Sequence, residues 1–332
     1  MNSPRILAGA CLAASLLSAC HRPMPMDDHM AHMAAGDLAA PAKAPAATTA
    51  QGDMSIPASN NGAAARIAAS PRHAEWVKIP WEPGSKDSLM AWIVYPTTSN
   101  AKTPVVVVVH EIFGLATWVR GVADQVAADG FIAIAPDLES RVRGGPSTVE
   151  MTGDSARKLI GGVNGAERNR GIAAAARYAM SQPSAAPRYA VIGYCWGGQT
   201  TWLHAINGGI PGFSGGVAFY GSAPFSGPVP ITDSLTKIKV PVMLLSGSKD
   251  ARIGAGMPAL DSAMKALNKD YFGKNYEGAV HGFLRAQNDP KTGVDSTGKS
   301  LRDPTEEAAN LAATKDAWPR TIAFLKKNLG VK

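Results

Sequence analysis

Only three cysteines occur among the 332 residues, Cys11, Cys20 and Cys195, too few for a disulfide framework to hold a fold together. Long hydrophobic runs are also missing, since the apolar stretch from Ile6 to Leu17 is too short to span a membrane as a helix. Charge is not gathered anywhere. The 33 Lys and Arg against 26 Asp and Glu leave a net +7, but there is no long basic run and no stripe of basic and aromatic residues, so nucleic acid is not expected as a partner. His73 and His110 lack metal-ligand spacing, no cofactor is called for, and no internal repeat points to a solenoid.

What is present, from about residue 73 onward, is an alternation of short apolar runs and amphipathic stretches. Strands are expected at Ala91 to Tyr95, Pro104 to Val109, within Gly130 to Leu138, and at Tyr189 to Ile192, Gly216 to Tyr220, Val240 to Leu245 and Phe272 to Tyr276. The run Pro104 to Val109 is all valine after its proline and reads as a central strand buried on both faces. Covering helices are expected at Trp118 to Asp129, Gly171 to Ser181, Gln199 to Asn207, Met257 to Asn268 and Trp318 to Leu329, with Pro319 suiting the first turn of the last one. The reading is a single α/β domain over 73–332, a mostly parallel central sheet flanked by helices on both faces.

The most informative segment is Gly193-Tyr194-Cys195-Trp196-Gly197-Gly198, directly after the strand Tyr189 to Ile192. A strand running through a glycine-flanked apex residue into a helix is the nucleophile elbow of α/β-hydrolases, with Cys in place of Ser. The helix N-terminus favours a thiolate there. Asp250 follows the strand ending at Leu245, and His281 stands in the loop beyond Phe272 to Tyr276. Nucleophile, acid and histidine therefore come in the α/β-hydrolase order, each at the carboxyl end of a strand where open α/β sheets gather their sites. Cys195, Asp250 and His281 are the candidate triad. Glu111, set just past the all-valine strand, is expected to be partly desolvated and so a plausible proton acceptor. The oxyanion donors would be the backbone amides of Ile112 and Trp196. His204 is expected to be structural, on the helix after the elbow.

The combination His110-Glu111-Ile112-Phe113-Gly114, Ala135-Pro136-Asp137-Leu138, Gly193-Tyr194-Cys195-x-Gly197-Gly198, Gly247-x-x-Asp250 and His281-Gly282-Phe283 resembles the dienelactone hydrolase family over roughly residues 85 to 330. The resemblance implies a Cys-Asp-His triad and a thiol kept largely protonated at rest, with Glu111 taking its proton when substrate binds. It also implies hydrolysis of small esters or lactones of the carboxymethylenebutenolidase class through a thioester acyl-enzyme. Two arginines hold the family's carboxylate-bearing substrates. One lies four residues past the histidine, where this chain has Arg285, and the other falls by the family's spacing on Gly153, with Arg157 one helical turn further on as a substitute.

The amino terminus resembles a bacterial lipoprotein signal: Arg5, the apolar stretch Ile6 to Leu17, then Leu17-Ser18-Ala19-Cys20. That implies removal of residues 1–19 and lipidation of Cys20, with His21 at the next position favouring an outer-membrane protein facing the periplasm. Cys195 would then be the one free thiol of the mature chain, better explained in an oxidising compartment by catalysis than by packing. Residues 20–72, rich in Ala, Pro and Met, read as a disordered tether. Within it His21, Met24, Met26, His29, Met30, His32 and Met33 fall close together, and imidazole with thioether suits copper, or else they are incidental to a low-complexity segment. Two other classes thus stand beside the cysteine hydrolase: a ligand- or copper-binding lipoprotein reusing the fold, and a serine-type esterase relative in which Cys is tolerated. The complete triad opposes the first and the extra Glu111 the second.

Overall fold

A computed structural model describes residues 52–98, 102–148, 150–151, 153–287 and 304–331. The strands are β1 Ala74–Pro80, β2 Ser88–Val94, β3 Thr103–Val109, β4 Ile132–Pro136, β5 Ala185–Tyr194, β6 Phe213–Phe219, β7 Val242–Gly247 and β8 Tyr271–Tyr276. They form one eight-stranded sheet in the order β1-β2-β4-β3-β5-β6-β7-β8. β1 and β2 run antiparallel to each other and β2 antiparallel to β4, while all pairs from β4 to β8 are parallel. A two-residue hairpin pair, Phe225–Ser226 with Val229–Pro230, stands apart from this sheet.

The valine run in β3 behaves as its composition requires. Val106 and Val108 enter one core, Val105, Val107 and Val109 the other, and all five are fully buried. A strand buried on both faces gains from β-branched residues on each, so its pattern is continuous rather than alternating. The longer helices are α1 Ala63–Ala68, α2 Thr117–Ala128, α3 Gly153–Gly161, α4 Gly165–Met180, α5 Trp196–Ile206, α6 Met257–Ala266 and α7 Pro304–Leu329. Residues of α2 and α7 (Trp118, Val122, Trp318, Leu325) belong to one core layer and residues of α4 (Ile172, Ala175, Ala179) to the layer on the opposite face.

Three expectations are corrected. The last helix begins at Pro304, so Pro319 lies inside it rather than in its first turn. The lost backbone hydrogen bond and the ring clash cost about 3 kcal/mol, and the core-facing stripe Ala313, Ala317, Trp318, Leu325 and Leu329 continues the helix across that position. α4 starts at Gly165, six residues before the expected Gly171, because Asn164 and Glu167 form a reciprocal capping box.

The third correction concerns the segment ahead of Arg72. Residues 52–72 do not behave as a disordered tether but pack along α2. Ile56, Ala58 and Ala63 are buried in the core. The Trp118 indole donates to the Ala58 carbonyl at 3.1 Å, Arg66 to the Ile56 carbonyl at 2.6 Å, and Arg72 grips Asp124 with two bonds of 2.9 and 2.7 Å. A few apolar contacts and two arginines order the strap, an amount of burial too small to register in its average composition.

Candidate active site

The sheet order changes direction between β3 and β5, which opens a crevice at their carboxyl ends. Glu111 and Ile112 follow β3, Cys195 follows β5, Asp250 follows β7 and His281 follows β8, so the topology brings all of them to one edge. Cys195 sits at the apex with φ 55° and ψ −114°, a conformation that costs a non-glycine residue of order 1–3 kcal/mol. The flanking glycines make the turn possible. A methyl group on Gly193 would come 2.0 Å from the Gly197 carbonyl oxygen, and one on Gly197 would come 2.3 Å from that of Val109. The Cys195 amide donates to the Phe219 carbonyl at 3.0 Å, tying the apex to β6.

His281 Nδ1 lies 2.5 Å from Asp250 Oδ2, and Cys195 is close enough to act electrostatically on the imidazole. Burial by itself would lower the histidine pKa, but the bond to Asp250 and the influence of Cys195 outweigh it and push the value up to about 9. The two loops are laced together, Ser248 donating its amide to the Tyr276 carbonyl at 2.8 Å and Lys249 to that of Ala279 at 3.0 Å.

Glu111 is buried beneath this array, and burial pushes its carboxyl pKa up against the opposing pull of Arg285. Its Oε2 accepts from Arg285 Nη1 at 2.8 Å. The loop carrying it is held by His110, whose Nε2 accepts from the Leu138 amide at 3.1 Å while Nδ1 lies 2.6 Å from the Glu111 carbonyl oxygen. Accepting at Nε2 places the proton on Nδ1, which therefore donates. Burial lowers the His110 pKa, in keeping with a neutral ring. The backbone amides of Ile112 and Trp196 have no intramolecular acceptor among the described residues, and Trp196 opens α5. Donors left free at a helix start and in the facing loop are what an oxyanion requires.

Of the two arginines, Arg285 reaches the site and Arg157 does not join it. Arg157 is exposed and paired with Asp154 at 3.0 Å, three residues before it on α3. Arg285 Nη2 has a second carboxylate partner, Glu150 Oε1, at 2.5 Å. The guanidinium lies over the rings of Phe113 at 4.8 Å and Trp118 at 5.8 Å. His204 is structural as expected, bound to Tyr189 at 2.8 Å and Asn169 at 2.7 Å, with burial lowering its pKa to about 3.

Two neighbours were not legible as site residues. Tyr220, at φ 40° just past β6, is buried and sets its ring edge-on to His281 at 5.0 Å. Nothing in a sequence marks a left-handed tyrosine. Arg168 lies over the Trp196 ring at 5.1 Å and donates to Gln199 at 3.3 Å, a placement that depends on α4 packing beside α5. Cys20 and the copper candidates His21, Met24, Met26, His29, Met30, His32 and Met33 lie outside the described residues. Among the described residues no group of three or more His, Cys, Asp or Glu side chains is placed to hold a metal ion, and no helix is long and apolar enough to cross a membrane.

The comparisons with known proteins agree with this architecture. A Salmonella typhimurium protein named "Putative carboxymethylenebutenolidase" is 28% identical over 255 residues, covering 75% of this chain and 87% of its own. One of the same name from Synechocystis sp. is 30% identical over 239 residues, covering 68% and 87%. The crystal structure of a "Putative Dienelactone Hydrolase" from Klebsiella pneumoniae superposes with a TM-score of 0.59 at 25% identity, over 77% of this chain and 99% of that one. The model of the dienelactone hydrolase family matches residues 89–329. The chain is thus a hydrolase of the α/β-hydrolase fold, and it belongs to the dienelactone hydrolase family.

Proposed function

We propose that the protein hydrolyses ester or lactone bonds of small molecules through a Cys195 thioester, with Asp250 and His281 completing the triad. The observation that carries this reading is the Asp250–His281 hydrogen bond beside Cys195 at the strained elbow. In this reading His281 serves as the proton donor to the leaving group, so another group must take the thiol proton. Glu111, with its pKa raised by burial, is the acceptor at hand once its pair with Arg285 opens. The thiolate then attacks the carbonyl carbon, and the amides of Ile112 and Trp196 receive the oxyanion. Protonated His281 gives its proton to the departing alkoxide, which leaves a thioester and a neutral imidazole. That imidazole draws a proton from water, the hydroxide attacks the thioester, and collapse releases the acid and the Cys195 thiolate, which takes its proton back from Glu111. Turnover of aryl esters and small lactones by wild type and Cys195→Ala tests the reading. A loss of several orders of magnitude in a folded variant is expected, and unchanged turnover would sink it.

We also propose that Cys20 carries a lipid anchor holding the mature protein in the cell envelope, facing the periplasm. The support is the sequence Leu17-Ser18-Ala19-Cys20 after a short apolar stretch.

A further inference from the structure

The arginine that the family resemblance assigns to gripping a substrate carboxylate is already occupied by carboxylates of this chain. Arg285 donates Nη1 to Glu111 and Nη2 to Glu150, at 2.8 and 2.5 Å. Glu111 is the inner partner and Glu150 the outer one, their side chains 4% and 29% exposed. The guanidinium cannot easily turn to a third acceptor, because its plane lies against Phe113 and Trp118 and its side chain is 13% exposed. One cation thus faces two carboxylates. The second arginine of the family pattern is missing too, since the expected position is Gly153 and Arg157 is an exposed residue paired with Asp154.

We propose that Glu150 is a specificity-determining residue. It stands as a built-in carboxylate on Arg285, so that the site takes uncharged esters and lactones and turns away carboxylate-bearing ones. The inference rests on the ester or lactone hydrolase reading above. An incoming carboxylate has two poor choices. It displaces Glu150, leaving that carboxylate beside another negative charge without its partner, or it stays and forms no bond to Arg285 while meeting the net charge of the pair of glutamates. An uncharged acyl group meets neither cost and leaves the Arg285–Glu150 bond intact. Rejection by an unfavourable charge is a common source of selectivity where shape alone separates substrates poorly.

The test compares p-nitrophenyl butyrate with p-nitrophenyl hydrogen succinate, whose acyl chains match in length and differ in a terminal carboxylate. Wild type is expected to favour the butyrate. In Glu150→Gln the ratio of kcat/KM for butyrate to that for the succinate ester should fall roughly ten- to hundredfold, the effect of one charge-assisted hydrogen bond. The change should come mainly through the KM of the succinate ester and should shrink at high salt. Glu150→Asp should keep the preference for butyrate. A ratio equal in wild type and Glu150→Gln, or a wild type that prefers the succinate ester, overturns the assignment. Cys195→Ala separates the two levels of argument. If it hydrolyses both esters as wild type does, the hydrolase reading falls and the role of Glu150 with it; if turnover needs Cys195 but the ratio ignores Glu150, only the assignment of Glu150 falls.

Discussion

At the scale of single residues, the chemistry turns on where protons reside. The raised pKa of His281 depends on Asp250 together with Cys195, since burial alone would push it the other way. Asp250→Asn should therefore lower the alkaline limb of the kcat/KM profile from about pH 9 toward the ordinary histidine value of about 6.5, read from a pH series with an aryl ester. An unmoved limb would mean that the limb reports another group. The same shift has a sign for stability. A histidine with its folded pKa raised contributes stability that is complete below about pH 6.5 and is lost as pH climbs through about 9. Glu111→Gln keeps the shape but removes the proton acceptor, so pre-steady-state acylation should slow by roughly a hundred- to ten-thousandfold. If the variant acylates at the wild-type rate near neutral pH, Glu111 is a structural partner of Arg285 and nothing more. Both Cys195 and Glu111 were visible as candidates because strand-end position and residue type coincide there. The bonds of Arg285 to Glu111 and Glu150 were not, because those residues lie 174 and 135 positions from it and meet it only in the fold.

At the scale of elements, the elbow and the amino-terminal strap offer contrasting cases. The elbow is signalled locally: Gly193 and Gly197 lie two residues on either side of Cys195, and a methyl on Gly193 would meet the Gly197 carbonyl, although Gly197 itself faces the Val109 carbonyl. Gly197→Ala would drive a methyl group into the Val109 carbonyl, so it should destabilise the domain by about 3 kcal/mol and abolish turnover even where some protein folds. Chemical denaturation and an ester assay on the same preparation check this. The strap is held by distant partners. Its backbone bonds reach the site segment, the Asn60 amide donating to the Arg285 carbonyl at 2.9 Å and Gln287 to that of Pro57 at 2.6 Å. Ile56→Ala should cost about 2–5 kcal/mol in urea unfolding, as for other buried isoleucines. A change below about half a kcal/mol, the range of exposed surface substitutions, would show that the strap does not share the core. Composition missed the strap because three buried apolar side chains disappear in an average over residues 20–72, which are rich in alanine and proline.

At the scale of the whole molecule, the catalytic domain and the amino terminus raise separate questions. Palmitate labelling and membrane fractionation of the full chain should find the protein labelled and pelleting with membranes, and Cys20→Ala soluble and unlabelled. A Cys20→Ala protein still labelled and membrane-bound would rule out the anchor. What the sequence determined by itself was the fold class, every strand of the main sheet but β1, and the strand-end positions of Cys195, Asp250 and His281. Continuous β-branched runs, glycine spacing and residue type at strand ends are short-range signals, and physics reads them without knowing the rest of the chain. Tertiary structure alone decided that Pro319 lies mid-helix, that residues 52–72 fold onto α2, that Arg157 stays at the surface, and that Arg285 is held between Glu111 and Glu150. Each of these is set by burial and charge pairing between segments far apart in the chain, and such energies exist only once the segments have been brought together.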